Sequence, residues 1–288
     1  MTESGELNQV DNREVRFYVP LSITYDNLGT ISANLKSAAE AGLIERLPEP
    51  LVPSICFTDL EIIAHLLRNE IELFHYLTRR AQIEHELNYR GDEMDLLAFY
   101  LETAFNITGE SQEGKPLAIG LTLKSKELDP YFTARFAGRK VDKPRLDLTT
   151  WWRDILRALV ERNPHRWTEI GFALLNVAKA DQVRLEELFQ EQAADMRRGL
   201  TKPRDGWMVL KTGPGNRAYG LVVFPYGEVN RTQRNNMIDS ILADAAGADE
   251  MLGVVCIGVR ARKPGYPYDV LAYLPGEEVR KIRSQGSG

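Results

Sequence analysis

Glutamates and histidines at helical spacing are the first residues in this sequence that suggest chemistry. Glu61 and His65 are four positions apart, and Glu72 and His75 are three apart. A Glu-x-x-His pair on a helix can bind iron or manganese, but that site needs a matching pair and two further glutamates. The zinc motif His-Glu-x-x-His does not occur in the chain. We therefore expect solvated or capping histidines and no metal site.

Two other local patterns also have a structural interpretation. Asp92, Glu93 and Asp95 lie at the start of a predicted helix, where the helix dipole favours acidic side chains. Cation binding is the alternative for this cluster. Residues 211–217 are glycine-rich and basic, but they lack the spacing of a phosphate-binding loop and connect two predicted strands. A hairpin turn is the favoured interpretation there.

Charge is divided unevenly along the chain. The net charge is −5, with −11 over residues 1–134 and +6 over residues 135–288. Residues 135–166 carry nine basic and four acidic side chains, the strongest basic surplus in the sequence. This division is a weak indication of an anionic partner for the basic half. Ordinary solvated surfaces, or two halves that face each other, are the favoured explanations.

Basic and aromatic residues alternate within this basic stretch. Arg153 and Arg157 are close in sequence to Trp151, Trp152 and Trp167, a mixture that can bind single-stranded nucleic acid by stacking and phosphate contacts. Tryptophans on the opposite helix face would instead belong to the core. The residues that we predict for nucleic-acid binding are Arg153, Arg157, Lys211 and Arg217.

The remaining composition is that of a globular protein, with 43% hydrophobic and 27% charged residues. Cys56 and Cys256 lie in apolar runs and predict reduced core residues. The acidic N-terminus lacks the features of a signal peptide. The longest apolar run, residues 252–259, is shorter than the ~20 residues that a membrane helix needs. We expect a cytoplasmic protein without a membrane segment.

Periodicity predicts a mixed α/β (α+β) fold, with a helical cluster and a small C-terminal sheet covered by a helix. A disordered tail (1–14) precedes an N-terminal α/β region (15–130). A basic helical region then leads into a C-terminal β-β-α-β-β unit (131–283), and a flexible tail ends the chain (284–288). Residues 129–144 contain proline and glycine and predict a linker.

Individual elements carry more specific predictions. A capping box at residues 58–61 is expected to start one helix. The next helix, about residues 70–87, is expected to bury Ile71, Phe74, Leu77 and Ala81. Residues 252–259 predict a strand at the centre of its sheet, because the run is apolar on both faces. The helix that covers this sheet is predicted at residues 232–246.

The order of the C-terminal elements resembles part of the core of restriction-endonuclease-like nucleases. Such enzymes hold a metal and activate water with an acidic residue on one strand and a Glu-x-Lys on the next. Asp205 and Lys211 flank the first predicted strand here, and Glu228 comes after the second, but the second strand itself carries no acid or lysine. These three residues are the catalytic candidates, and magnesium or manganese would be required only for this alternative.

Two blocks of sequence carry a second resemblance. One comprises residues 59–63, 74–80 and 92–97, and the other comprises residues 166–171 through 182. Both are similar to the C-terminal region of uncharacterised bacterial proteins that carry a nuclease-related segment upstream. The resemblance covers about the middle half of the chain, and no catalytic residue can be transferred from it. It implies a setting in bacterial antiviral defence or nucleic-acid processing.

These patterns lead to three hypotheses for function. The first is a non-catalytic binding or regulatory module, whose partner is a protein or a nucleic acid and whose contact surface includes residues 135–166 or 202–217. The second is a metal-dependent nuclease with a degenerate site. The third is a structural assembly subunit whose acidic half docks on a basic neighbour. The oligomeric state is left open.

Overall fold

The structure is a computed structural model that describes residues 21–25, 42, 54–106, 117–198, 206–212, 217–225, 236, 250–259 and 270–286. Helices dominate the first part, together with two short parallel strand pairs, and a four-stranded sheet comes after them in the chain. The predicted mixed fold with a helical cluster and a C-terminal sheet is confirmed. Within the described ranges, no helix has the length and apolarity needed to cross a bilayer.

The described residues of the N-terminal region form two strand pairs and three helices. Its strands are β1 (Ser22–Thr24), paired in parallel with β2 (Ser54–Cys56), and β3 (Leu87–Arg90), paired in parallel with β4 (Leu117–Gly120). Its helices are α1 (Phe57–Leu66), α2 (Glu70–Glu86) and α3 (Glu93–Thr103).

Four helices lead from this region to the sheet. They are α4 (Asp129–Phe136), α5 (Thr150–Arg162), α6 (Trp167–Leu175) and α7 (Lys179–Arg197), with 3₁₀ turns at Lys124–Leu128 and Pro164–Arg166. The sheet consists of β5 (Gly206–Thr212), β6 (Arg217–Pro225), β7 (Glu250–Val259) and β8 (Val270–Pro275), and helix α8 (Gly276–Gly286) begins directly after it.

The sheet has the order β5-β6-β7-β8, with a parallel central pair and antiparallel outer pairs. The apolar run at residues 252–259 therefore lies in a central strand, as predicted. Helix α7 packs on β6 and β7, and α5 and α6 also contact the sheet. The predicted covering helix, residues 232–246, lies outside the described residues except for Asn236.

Buried side chains from both parts of the chain belong to one hydrophobic cluster that extends from Ile55 to Tyr273. Trp152 is fully buried and donates its indole N–H to the carbonyl of Leu174 at 2.9 Å, and Trp151 packs against Phe189. These two tryptophans are core residues, whereas Trp167 is half-buried. Both cysteines are buried and free, as predicted.

The predicted face of helix α2 packs against the hydrophobic cluster through Ile71, Phe74 and Leu77, but it is not the most deeply buried face of the helix. Ile71, Phe74, Leu77 and Ala81 are only half-buried, whereas the buried stripe consists of His75, Tyr76, Arg79, Arg80 and Ile83. The apolar face packs instead against α6, where a Cβ on Gly171 would lie 2.3 Å from Cγ2 of Ile71. Close approach of the two helices therefore requires glycine at position 171, and it leaves the polar stripe of α2 facing the core.

Three boundary predictions are corrected. Helix α1 begins at Phe57 without a side-chain cap, so Thr58 lies inside the helix and the capping box is wrong. The predicted linker begins as helix α4, because proline is tolerated in a first turn and Pro130 occupies it. Helix α8 was not predicted and includes the first three residues of the expected flexible tail. A Cβ on Gly276 would lie 2.2 Å from the carbonyl oxygen of Met251, so glycine permits this strand-to-helix turn.

A buried ion pair joins α2 to the start of α3. Nε of Arg80 and Oε2 of Glu93 are 3.1 Å apart, and their side chains are 0% and 4% exposed. The hydroxyl of Tyr76 donates to Oε1 of Glu93 at 2.5 Å. Burial together with the Glu93 charge raises the pKa of Tyr76 far above its ordinary value, so its proton stays in place. The carboxylate of Glu93 therefore receives donors from two residues of the buried α2 stripe.

We predict that Glu93→Gln lowers the free energy of unfolding by about 3 to 5 kcal/mol, because the change removes the charge that compensates Arg80 in the core. Asp154→Asn is the matched control, since Asp154 pairs with the 70% exposed Arg157 and such surface pairs contribute about 0 to 1 kcal/mol. Urea unfolding measures both. Equal effects of the two substitutions would contradict the structural role of the buried pair.

Candidate functional site

The structure describes only part of the predicted nuclease set. Lys211 lies near the end of β5, but its side chain is not described, and Asp205 and Glu228 lie outside the described residues. Strands β5 and β6 are antiparallel, and Thr212 is paired with Arg217. The basic glycine-rich sequence therefore connects the strands of a hairpin, as predicted. Within the described ranges, no group of three His, Cys, Asp or Glu side chains could hold a metal ion.

The Glu72–His75 pair is part of the core. His75 is fully buried, Nδ1 of its ring lies 3.1 Å from the hydroxyl of Tyr100, and that hydroxyl donates to the carbonyl of Glu72. Burial lowers the pKa of His75 to about 3, and the charge of Arg79 acts in the same direction. The imidazole is therefore neutral at physiological pH. His165 is exposed on a 3₁₀ turn, and the side chain of His85 is not described.

The acidic cluster forms the start of α3. Oδ1 of Asp92 accepts from the backbone N–H of Asp95 at 2.8 Å, and Oδ2 of Asp95 accepts from the backbone N–H of Asp92 at 3.2 Å. Oδ1 of Asp95 also accepts from the backbone N–H of Ser125. Glu93 forms the buried pair with Arg80. The helix-start interpretation of the cluster is confirmed.

Asp59 is a carboxyl group that the sequence did not single out. It is 8% exposed in the first turn of α1. Burial raises the pKa of Asp59 to about 6, and the charges of Glu93 and Asp92 add to this increase. Asp92 and Glu93, whose charges contribute to this rise in pKa, are more than 30 positions away in sequence. The local spacing of residues around Asp59 therefore gives no indication of the raised pKa.

The two predicted arginines of α5 differ in their surroundings. Arg153 is half-buried, and its guanidinium donates to the carbonyls of Leu146 and Leu148 at 3.2 and 3.3 Å. Arg157 is exposed and forms an ion pair with Asp154 at 3.0 Å. Arg153 therefore positions the chain that precedes α5, whereas Arg157 lies on its surface.

That preceding chain presents a continuous group of basic side chains. The basic segment, residues 135–145, contains five basic residues and one acidic residue, Asp142. Arg135, Arg139, Lys140 and Arg145 are exposed. Phe136 is 89% exposed and comes directly after Arg135. None of these four basic residues takes part in the ion pairs found among the described residues. The segment thus combines net positive charge with a large aromatic surface in water.

The backbone around the basic segment is held although most of it has no regular secondary structure. Gly138 ends α4 in the left-handed conformation, with φ of 69°, and the N–H of Arg139 donates to the carbonyl of Ala134. Nζ of Lys143 donates to the carbonyl of His65 at 2.7 Å. The carbonyl of Lys143 in turn accepts from the guanidinium of Arg68 at 3.2 Å. Contacts with α1 and with the loop after α1 therefore hold the segment at Lys143, near its C-terminal end.

The residues between the basic segment and α5 are also held by hydrogen bonds and an ion pair. The N–H of Asp147 donates to the carbonyl of Leu101 at 2.7 Å, and its carboxylate pairs with Lys179. The N–H of Thr149 donates to Oε1 of Gln182 at 3.1 Å. Helices α3 and α7 thus hold the residues between the basic segment and α5.

His65 lies where α4 and the basic segment meet α1. Its Nε2 is 2.8 Å from the hydroxyl of Tyr131 and also contacts the guanidinium of Arg135. Partial burial lowers the pKa of His65, and the charges of Lys143 and Arg135 act in the same direction. The sequence pair Glu61–His65 did not indicate these contacts, because the partners are 66 to 78 positions further along the chain. Phe136, by contrast, is adjacent in sequence to Arg135 and close to Arg139 and Lys140. This combination of an aromatic residue with basic residues was visible in the local sequence.

No protein-family model, curated protein or solved structure matches this chain.

We predict that Asp59→Asn stabilises the fold at pH 7 to 8 by about 1 to 3 kcal/mol. The folded state raises the pKa of Asp59 above the ordinary value of 3.8, so the carboxylate opposes folding above pH 6. The gain must shrink as the pH falls through 6 towards 4, and it disappears only below the unfolded pKa of 3.8, where the carboxyl is protonated in both states. Thermal unfolding across pH measures this, with Glu61→Gln on the exposed face of α1 as the control. A gain that does not vary with pH would refute the assignment.

Proposed function

We propose that this chain is a non-catalytic binding module that holds single-stranded nucleic acid on the basic segment. The observation that carries the proposal is the 89% exposure of Phe136 within a segment that is basic, exposed and held at its backbone. An exposed aromatic ring beside arginines provides both contacts that single strands use, since bases stack on the ring and phosphates pair with the cations.

The positive charge of the basic segment supports the proposal that its partner is anionic. The exposed cations of the segment exceed its acids, and Asp142 is the only acid between Arg135 and Arg145. Each phosphate that such a cation neutralises releases counterions, which makes binding favourable at low salt and weaker as salt rises. Arg157 is a further exposed cation, on helix α5 that follows the basic segment in the chain, and it is paired with Asp154.

The restrained backbone supports a binding role as well. Segments that fold on binding lose part of their interaction energy to ordering. Here, hydrogen bonds to Ala134, His65 and Arg68 hold the segment in the free protein. The exposed side chains therefore begin from a fixed arrangement, and less conformational entropy is lost when a strand binds.

The nuclease and the assembly subunit are the alternatives from sequence, and no described side chain favours either of them. The catalytic candidates of the nuclease lie outside the described side chains. A place in bacterial defence or nucleic-acid processing rests on the resemblance to bacterial proteins alone.

We predict salt-dependent binding of a fluorescent 20-nucleotide oligothymidine without cleavage. The slope of log Kobs against log salt should be about −0.7 for each phosphate contacted. Lys140→Glu should weaken binding at least fivefold and make this slope shallower. Phe136→Ala should weaken binding about tenfold and leave the slope unchanged, because stacking contributes about 1 to 3 kcal/mol per base and involves no counterion. Fluorescence anisotropy measures all three.

Arg198→Glu is the matched control for Lys140→Glu. Arg198 is exposed at the end of α7, about 28 Å along that helix from Lys179, which contacts the chain after the basic segment. An equal loss in both variants would indicate a diffuse effect of net charge and would refute the assigned surface. Absence of binding at low salt would refute the proposed function, and cleavage dependent on magnesium or manganese would favour the nuclease.

A further inference from the structure

His65 has cations and a hydroxyl as neighbours at its ring. Nε2 contacts the Arg135 guanidinium and the Tyr131 hydroxyl, and Nζ of Lys143 lies on the carbonyl of the same residue. Histidines that carry a charge are usually stabilised by a carboxylate, and this one faces two fixed positive charges instead. The contact with Arg135 needs an unprotonated Nε2, because a guanidinium can only donate.

The described contacts of the His65 ring include no carboxylate of α1, α2 or α3. Glu61 is exposed one turn earlier on α1, and none of its hydrogen bonds or ion pairs within the described part of the chain involves the ring. Glu72 of α2 accepts from the backbone N–H of Arg68 at 3.0 Å. Asp59, together with Glu93 of α3, lies at the opposite end of α1.

We infer that His65 is a proton-linked phosphate contact: a phosphate of the bound strand lies against Arg135 and Lys143, and His65 takes up a proton as it binds. This inference rests on the proposed function. A phosphate adds negative charge beside the cations of Arg135 and Lys143, which oppose protonation of the free ring, so the protonated ring becomes the favoured form. The proton on Nε2 then has the Tyr131 hydroxyl as an acceptor, and the guanidinium of Arg135 turns to the phosphate.

The geometry leaves enough donors for this exchange. A guanidinium has five N–H donors, and the described contacts of Arg135 with His65 and Tyr131 use only its NH1 group. An ammonium has three donors, and Lys143 uses one of them on the carbonyl of His65. Both side chains can therefore contact a phosphate without releasing the basic segment.

Linkage sets the direction of the pH effect. The free protein lowers the pKa of His65, so the ring is neutral at pH 7.5, and a bound phosphate raises that pKa. Binding thus takes up protons in the range between the free and bound values, and affinity rises as pH falls, by at most tenfold per pH unit for a single proton.

The test measures oligothymidine affinity at constant ionic strength from pH 7.5 to pH 5.5. We expect binding to tighten about tenfold for the native chain and by less than twofold for His65→Gln, whose amide preserves hydrogen bonding but cannot gain the charge. His165→Gln is the matched control, because His165 is an exposed histidine directly before Arg166, and it should retain the full pH dependence. Circular dichroism at both pH values establishes that each variant is folded.

A second readout observes the ring directly. The NMR titration of His65 should give a pKa below 6.5 in the free protein and a higher value with the oligonucleotide bound. If binding is salt-dependent but His65→Gln keeps the pH dependence, or if the His65 titration does not move, the proton-linked contact is wrong and the proposed function stands. If the native chain binds no oligonucleotide, both are wrong.

Discussion

The buried pair of Arg80 and Glu93 is the interaction on which the arrangement of the N-terminal region depends. It fixes the start of α3 against the middle of α2, and the first turn of α3 then positions a later part of the chain. Asp95 in that turn accepts from the N–H of Ser125, which places the 3₁₀ turn that leads into α4. Because α4 ends with Arg135 and Phe136, the position of the exposed surface is connected through successive contacts to a charge pair in the core.

The electrostatics of the two halves depend on where their charges lie. Asp59, Glu93 and Asp95 of the acidic half are buried, so part of the negative charge of this half lies in the core and not on the surface. Glu93 and Asp95 have donors there, whereas the charged form of Asp59 opposes folding. The basic segment has the opposite character, since most of its cations face water and few acids accompany them. The core therefore holds a few charges of the acidic half, both acids and the arginines Arg79 and Arg80, whereas the basic segment presents most of its cations to solvent.

Local patterns predicted most elements, and longer-range packing explains the features that they missed. The strand at residues 252–259 was placed correctly because an apolar run identifies a central strand without knowledge of its neighbours. For α2, hydrophobicity identified a partly buried face that includes Ile71 and Leu77. It missed the more deeply buried stripe, because Glu93 makes burial of Tyr76 and Arg80 favourable. The contacts of His65 were not predictable, since they depend on how α4 packs against α1. Phe136, the aromatic residue of the basic segment, was visible in the sequence, but it fell within the stretch that was predicted to be a linker.

The connectivity of the sheet has a consequence for how the chain acquires its structure. The strands of the outer pairs, β5–β6 and β7–β8, have short connections, but the central parallel pair requires a crossover of more than 20 residues between Pro225 and Glu250. Parallel pairing of distant strands forms slowly, because the entropy of closing the intervening chain is lost before the contacts form. Two antiparallel pairs should therefore assemble first, and their union at the β6–β7 seam should be the late event in folding.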